Sequence, residues 1–480
     1  MQQRKNNMSQ RITVIGAGPG GYTAAFEAAK LGAEVTLVEA KWLGGTCLNC
    51  GCIPAKTFVT TGEAFEAAKR GAEFGVFGIG SDIKVDMPTL VARKHHVSDT
   101  LIGGLEKTCA KLKVKLIYGF GKVINANLVQ VTKQDGTVEE VAGDKIILAN
   151  GSNSMNLPNL PIDGKYIMSS DDALELDHVP ASAIFVGGGV VGCELAFAYS
   201  KFGCKVTIVE GQTRLLPVPS IDMEISKLLQ REAKKQGITV ECCRTVSNFE
   251  IVDGKVRATL APSPFLKPEQ IPAAAQKEAV VDVDCIFVVV GRVANNKENG
   301  LAEAGIELDR RGYVVANEYL ETSVPGIYAI GDTLGPTKIM LAHVAAVEGK
   351  IAARNAMGAH EAMKYGVIPS GIFVSPELAD VGLTEEQCKA QGLNYAASTF
   401  QFRELGKAQA MGELPGFFKL LVDKDTRKIL GAHFAGAHTT DLISEIAVAI
   451  ENGLTVDQVA GTIHAHPTLA EGVLEAALMF

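Results

Sequence analysis

The sequence predicts an α/β protein. It reads as two β-α-β folds built on glycine turns, followed by a C-terminal α+β segment. Two observations carry this. The order strand, G-x-G-x-x-G, helix, strand, acid occurs twice, in RITVIGAGPGGYTAAFEAAKLGAEVTLVEA and in SAIFVGGGVVGCELAFAYSKFGCKVTIVEG. From about Ala353 the pattern changes to strands such as GIFVSPELADVGLT and GFFKLLVDKDTRKILGAHFAG, alternating with helices such as SEIAVAIENG and EGVLEAALM. A chain of 480 residues is also too long for one small core and fits about two to four domains.

In the first copy the turn is Gly16, Gly18 and Gly21, and Glu39 ends the second strand 18 residues after the last glycine. In the second copy the turn is Gly187, Gly189 and Gly192, and Glu210 follows at the same spacing. The first glycine permits the tight turn, the second lets backbone approach a pyrophosphate, and the third lets helix and strand pack closely. The helix N-terminus offers unpaired N–H groups and partial positive charge to the phosphates. The acid accepts hydrogen bonds from ribose hydroxyls and repels a 2′-phosphate, so Glu210 favours NAD over NADP. A glycine turn without ligand explains one such motif; two in matching context define two Rossmann-like dinucleotide-binding folds, hence two dinucleotides.

The remaining elements follow in chain order. A helix is expected over Val91–Leu112, then strands in KVINANLVQVT, and DKIILANGSNS as a strand returning to a phosphate-side turn. The second fold begins near Ser182 and ends near CIFVVVGRVANN. Within it, Ala261–Gln276 is rich in Pro and Ala and reads as a surface loop between two strands. GIYAIGDTLGPTKIMLAH then supplies a strand and Gly331-Asp332. One fold is therefore split by the other. The expected domains are a leader at 1–10, a first dinucleotide-binding domain at 11–155 and 284–352, a second at 156–283, and a C-terminal domain at 353–480. Leu442, Ile443, Ile446, Ala449 and Ile450 form an apolar stripe on a helix at Asp441–Glu451, suited to core or to a subunit interface.

Composition excludes several classes. The net charge of −8 and pI near 5.7 lack the basic footprint of a nucleic-acid binder. No apolar run is long enough to span a bilayer. MQQRKNNMSQ is polar and lacks a signal-peptide pattern; it reads as a disordered leader, with Met8 an alternative start. Most of the ten cysteines are scattered through apolar segments as buried thiols, which suits a reducing cytoplasm.

The exception is GGTCLNCGCIPAK, with Cys47, Cys50 and Cys52. A structural zinc needs a fourth ligand, and no second C-x-x-C or His pair stands at finger spacing. A structural disulfide suits an oxidising compartment. A redox disulfide fits the surroundings: glycines and Pro54 describe a loop entering a helix, and a helix N-terminus with a nearby cation such as Lys56 favours the thiolate. Cys47–Cys50 and Cys47–Cys52 both remain open, because spacing alone does not choose between them.

With these stretches in order, together with VVVGRVANN, YAIGDTLGP with MLAH, and HAHPTLAEGVLEAAL, the chain resembles the flavin-dependent pyridine nucleotide–disulfide oxidoreductases over residues 10–480. Within them it is most similar to the branch that oxidises dihydrolipoyl groups. The resemblance implies FAD and NAD as cofactors, no metal, and a Cys47–Cys52 disulfide, with Cys47 the interchange thiol and Cys52 facing the flavin. Cys50 departs from the usual pattern; it reads as a neutral substitution in a cramped loop, the rival reading being a competing partner for Cys47 that moves the redox potential. The resemblance also implies His466 as acid–base with Glu471 orienting it, while His464 is structural. It pairs Lys56 with Glu194 beside the flavin and nicotinamide, and gives Glu39 and Asp332 to FAD and Glu210 to NAD. The remaining cofactor-binding positions are Gly45, Thr46, Gly119, Gly151, Met340, Leu341, Ala342, His343, Val246 and Gly291. Asn150 and Ala294 depart from the common Thr and Pro, which bears on local loop geometry. The loop at 261–276 looks longer than usual. The partners implied are a second copy of the chain with shared active sites, the C-terminal domain being the dimer interface, and a lipoyl-carrying protein: a 2-oxoacid dehydrogenase acyltransferase or a glycine-cleavage carrier. No nucleic acid or membrane is implied. The rival readings are a reductase of another low-molecular-weight or coenzyme disulfide, and a structural or redox-sensing flavoprotein subunit without turnover.

Overall fold

The computed structural model describes residues 9–480 except Ser81, so the leader expected at 1–10 lies almost wholly outside the described residues. The chain forms two compact units. The first comprises the described residues up to Pro54, Ala92–Met155 and Arg292–Tyr365; the second comprises Ala55–Val91, Asn156–Gly291 and Gly366–Phe480.

The first unit is organised by a five-stranded parallel sheet in the order Ile327–Ala329, Lys145–Leu148, Arg11–Ile15, Glu34–Glu39, Lys115–Tyr118. Its central strands are buried on both faces, as in a parallel sheet covered on both sides. The helix Pro19–Lys30 starts with Pro at its first turn, where a missing N–H costs nothing. It packs on the helix Ala342–Ala356 so closely that a Cβ on Gly349 would stand 2.4 Å from the Gly20 carbonyl oxygen. Arg354 Nε reaches Glu27 at 2.8 Å across the same pair. Between the third strand and the returning fourth lies an antiparallel sheet, Phe120–Asn125, Leu128–Thr132 and Val138–Ala142.

The second unit repeats the plan. Its parallel sheet runs Ile167–Ser169, Cys285–Val288, Ser182–Val186, Lys205–Glu210, Thr239–Cys242. An antiparallel sheet, Arg244–Val252, Lys255–Pro262 and Ala279–Val283, again fills the connection before the returning strand. The same unit holds a five-stranded antiparallel sheet: Ser370–Ile372, Leu378–Gly382, Ile429–Ala435, Phe417–Asp423, Tyr395–Gln401. The helix Thr439–Glu451 packs on it. Ile443, Ile446 and Ala449 are buried in its core, so the stripe seen in sequence serves this core.

Three expected boundaries differ from the structure. Cys285–Val288 is a strand of the second sheet, so the division expected at 283/284 falls instead after Gly291. The one expected at 352/353 lies inside the helix Ala342–Ala356, and the first unit continues to Tyr365. Residues 55–91, expected with the first fold, group with the second unit. In the first case a strand finds its partners beyond the expected edge, and in the second a helix runs through it. The helix expected over Val91–Leu112 extends from Met87. The Pro/Ala-rich loop connects two strands as expected, with Ala261 and Pro262 still in strand and short 3-10 turns at Pro268–Gln270 and Ala273–Gln276.

Candidate active site

In the first unit the glycine turn closes on itself. Gly16 has φ +99, and a Cβ on Gly21 would lie 1.8 Å from the Gly16 carbonyl oxygen, so neither tolerates a side chain. Gly18 differs: the nearest atom to its would-be Cβ is Gly45 Cα at 3.9 Å, leaving its face open for a phosphate. Glu39 is buried, and its carboxylate accepts from Ala17 N at 2.7 Å and from Lys41 N and Trp42 N at 2.8 and 3.2 Å. It thus braces the turn, while a carboxylate has lone pairs to spare for hydroxyls. Gly187, Gly192 and Glu210 repeat this in the second unit. A Cβ on Gly192 would meet the Gly187 oxygen at 2.0 Å, and Glu210 accepts from Gly188 N at 2.6 Å and Gln212 N at 2.7 Å. Val246, on the first strand of the adjoining antiparallel sheet, is buried, and Gly291 has φ +126.

The thiol segment is laid directly on the first turn. A Cβ on Gly45 would fall 2.6 Å from Gly18 Cα. Gly44 and Gly45 have φ +91 and +57, which let the chain double back into a short helix, Gly45–Asn49, carrying Thr46 and Cys47. Asn49 Nδ2 pins it by donating to the Leu43 and Gly45 carbonyls at 3.1 and 2.8 Å. The helix Cys52–Lys69 then begins at Cys52, which is exposed, with Cys47 and Cys50 half-buried. Tyr22, on the helix after the first glycine turn, has its pKa raised by burial and then by the charges of Cys47 and Cys52. Both thiols therefore lie within electrostatic reach of one phenol.

A polar chain flanks this segment. Ser152 Oγ donates to Asp332 Oδ2 at 2.5 Å and accepts from Arg292 Nε at 2.7 Å; Arg292 Nη2 donates to the Ser152 carbonyl at 2.6 Å and to Thr46 Oγ1 at 3.3 Å. Asp332 and Thr46, both expected at the cofactor, are thus joined through two residues that sequence reasoning missed. Gly151 has φ +68, and its carbonyl accepts from Asn295 N at 3.0 Å. The segments with the departures Asn150 and Ala294 are tied together by that bond and by the Ala294–Ser152 strand pairing. Both amide atoms of Asn150 are buried without a protein partner. Gly119 N donates to the Glu39 carbonyl at 2.8 Å. Met340 and Leu341 lead into the helix that starts at Ala342 and His343. Beside Asp332, Gly331 N donates to Glu348 Oε2 at 2.6 Å, and Tyr365 Oη donates to Glu348 Oε1 at 2.6 Å. Burial pushes the Glu348 carboxyl up to about 7. The open Gly18 face, the acid, the helix N-terminus and the orphaned Asn150 amide together fit a dinucleotide.

In the second unit Lys56 Nζ lies 2.6 Å from Glu194 Oε2 and 4.2 Å from the centroid of Phe373. Phe373 N donates to the other Glu194 oxygen at 3.0 Å. Phe373, also missed in sequence, fixes this buried carboxylate from a distant segment. His466 Nδ1 and Glu471 Oε1 are 2.8 Å apart, and Thr468 N donates to Glu471 Oε2 at 2.9 Å. These bonds hold the Glu471 carboxyl below its usual range, the one to His466 contributing most. The His466 side chain is 78% exposed while that of His464 is 5% exposed, its Nε2 lying 2.9 Å from Glu445 and its Nδ1 2.9 Å from the Thr462 carbonyl. Among the described residues no group of three or more His, Cys, Asp or Glu is placed to hold a metal ion.

Two glycine-turn folds, with a thiol segment on the first, define a dinucleotide-dependent disulfide oxidoreductase. The chain belongs to the pyridine nucleotide-disulphide oxidoreductase family, which matches residues 10–349, and its dimerisation domain matches residues 368–477. Its relatives include a dihydrolipoyl dehydrogenase of Chlorobaculum parvum, 40% identical over 99% of this chain and 98% of that one, and another of Bacillus subtilis, 38% identical over 97% and 95%. Among solved structures, LpdA from Mycobacterium tuberculosis superposes with a TM-score of 0.89 at 26% identity, covering 98% of this chain and 99% of that one. A copper(II) complex of the HOCl-induced flavoprotein disulfide reductase RclA from Escherichia coli gives 0.85 at 24% identity, covering 98% and 99%, which speaks for the fold alone.

Proposed function

We propose that the chain is a dihydrolipoyl dehydrogenase, oxidising protein-bound dihydrolipoyl groups to lipoyl and reducing NAD⁺. The observation that carries this is the thiol segment built onto the first glycine turn, with Cys47 and Cys52 both felt by Tyr22. The full-length relatives named for this activity support it. In this reading FAD binds the first fold at Glu39, Thr46 and Asp332, and NAD binds the second at Glu210. Residues 11–155 and 284–352 would then serve FAD, 156–283 NAD, and 353–480 dimerisation, with the edges moved as the strands dictate.

Bound FAD and NAD supply the two-electron redox chemistry between the thiols and the nicotinamide. The residues of the chain manage thiols and protons. His466 Nε2, free to face substrate because Nδ1 is held by Glu471, takes a proton from the dihydrolipoyl dithiol. The resulting thiolate attacks Cys47 Sγ, breaking the Cys47–Cys52 bond and forming a mixed disulfide, with Cys52 leaving as thiolate. The second lipoyl sulfur then displaces Cys47 and closes the lipoyl disulfide. The helix N-terminus at Cys52 and Lys56 one turn on favour the Cys52 thiolate. Glu194 and Phe373 hold Lys56 in place. The homodimer carries this further: each C-terminal domain presents His466 to the thiols of the other copy. The carrier is a 2-oxoacid dehydrogenase acyltransferase or a glycine-cleavage protein, met in the cytoplasm.

The test is steady-state NAD reduction by dihydrolipoamide on flavin-loaded protein, with NADP alongside. NAD-specific turnover supports the reading. Rapid flavin reduction by NADH without lipoamide turnover would overturn it in favour of another disulfide substrate.

A further inference from the structure

The Pro/Ala-rich loop has no part in the mechanism above, yet it is built with care. Arg244, itself buried, donates from its guanidinium to the carbonyls of Leu260 at 3.3 Å, Lys277 at 2.7 Å and Ala274 at 2.7 Å, clamping both ends of the loop. Ile271 and Ala275 are buried against Cys243 beneath it. The loop is stitched to the end of the strand Lys205–Glu210 by two backbone bonds, Ser263 N to the Cys243 carbonyl and Cys243 N to the Gln212 carbonyl, both at 2.9 Å. Gln212 N in turn donates to Glu210. Ser263 Oγ accepts from Phe265 N at 3.3 Å.

This framework sets the Phe265 ring directly over Gly211. A Cβ at Gly211 would stand 3.0 Å from Phe265 Cδ2 and 3.3 Å from Cε2, so glycine there is what admits the ring. Phe265 is nevertheless 70% exposed. A single exposed phenylalanine is ordinary; one clamped beside the carboxylate of a dinucleotide fold is placed for a ligand. Adenine is bonded to the same ribose whose hydroxyls the acid receives, so it must emerge next to Gly211. A purine face against a phenyl ring gains stacking energy that a bare rim does not give.

We infer that Phe265 forms a stacking wall for the adenine of NAD, and that the loop at 261–276 is the strap that holds it there. This rests on the NAD reading of the second fold. The test is isothermal titration of the flavin-loaded protein with ADP-ribose, NAD⁺ and nicotinamide mononucleotide, which lacks the adenosine half. Phe265→Ala and Phe265→Tyr are run beside wild type. Phe265→Ala is expected to weaken ADP-ribose and NAD⁺ by about tenfold or more, Phe265→Tyr to restore both, and all three proteins to bind the mononucleotide alike. Equal ADP-ribose affinity in wild type and Phe265→Ala overturns the inference and leaves the NAD reading standing. Weakening of the mononucleotide by Phe265→Ala also overturns it, because the ring would then act through the fold. A wild type that binds neither ADP-ribose nor NAD⁺ overturns both readings.

Discussion

His466 and Glu471 show how one short segment sets an exposed histidine apart from one whose two ring nitrogens are both engaged. Glu471 receives Nδ1 of an exposed ring, whereas Glu445 and the Thr462 carbonyl occupy both nitrogens of the buried His464. His466→Gln is expected to lower dihydrolipoamide turnover by about 10²–10⁴-fold while leaving flavin reduction by NADH intact, as stopped-flow absorbance would show. Equal loss of both would remove His466 from the thiol half-reaction. Glu348 gives a pH prediction. Its carboxyl titrates near 4.5 when unfolded and about 7 when folded, burial being the cause. Between those values the folded protein keeps a proton that the unfolded chain has released, so this group's contribution to stability declines as pH rises from 4.5 through 7. Glu348→Gln keeps an acceptor for Gly331 N and is expected to flatten that slope in urea unfolding; an unchanged slope would assign the pH dependence elsewhere.

At the scale of elements, the glycine turns separate two kinds of need. Gly21 faces the Gly16 oxygen at a distance no Cβ can occupy, while Gly18 faces open space. Gly21→Ala is expected to abolish folding of the first unit. Gly18→Ala should fold, judged by circular dichroism, but purify with reduced flavin, because its methyl would stand where the pyrophosphate must approach. Normal flavin content would refute that placement. A different device ties the elements of the second unit. Lys419 is buried, with its Nζ 3.1 Å from Asp222, 2.7 Å from Glu385 and 3.4 Å from Glu224. Asp222 caps the helix Met223–Lys235, and Glu385 opens the helix Glu385–Ala390, so one ammonium joins two helices to the strand Phe417–Asp423. Lys419→Met strands Asp222 and is expected to cost about 3–5 kcal/mol by urea titration. The hydrogen bond from Lys419 holds Glu385 down at about 2. Its contribution is therefore present above the unfolded value of 4.5 and lost as pH falls toward 2.

For the whole molecule, substitutions at the thiols and on the C-terminal domain test the disulfide and the second copy. Cys50→Val is expected to leave turnover nearly unchanged, whereas Cys47→Ser and Cys52→Ser each abolish it. A large effect at Cys50 would mean that it competes for Cys47. Ile463 is 97% exposed and Val448 61% exposed in the C-terminal domain, a cost in water that a second copy would relieve. Ile463→Glu is expected to shift the protein toward monomer in sedimentation and to remove lipoamide turnover while retaining flavin. An active monomer would refute shared active sites.

The sequence by itself determined what is local. The glycine spacings, the acids that end the second strands, the thiol segment and HAHPTLAE all act within one turn, one helix start or one loop, so their chemistry is written in adjacent residues. The apolar stripe at Asp441–Glu451 announced a helix, but only packing against the antiparallel sheet decided that it serves a core. Only the tertiary structure joined Thr46 to Asp332 through Arg292 and Ser152, residues separated by more than a hundred positions. It also braced Glu194 with Phe373 and folded the loop at 261–276 back onto Gly211. Hydrogen bonds and van der Waals contacts have ranges of a few ångströms, and sequence distance says nothing about them until the sheets have brought remote strands together. The edge expected at 283/284 moved for the same reason: the strand Cys285–Val288 belongs to the sheet that satisfies its backbone, whatever the composition on either side of it.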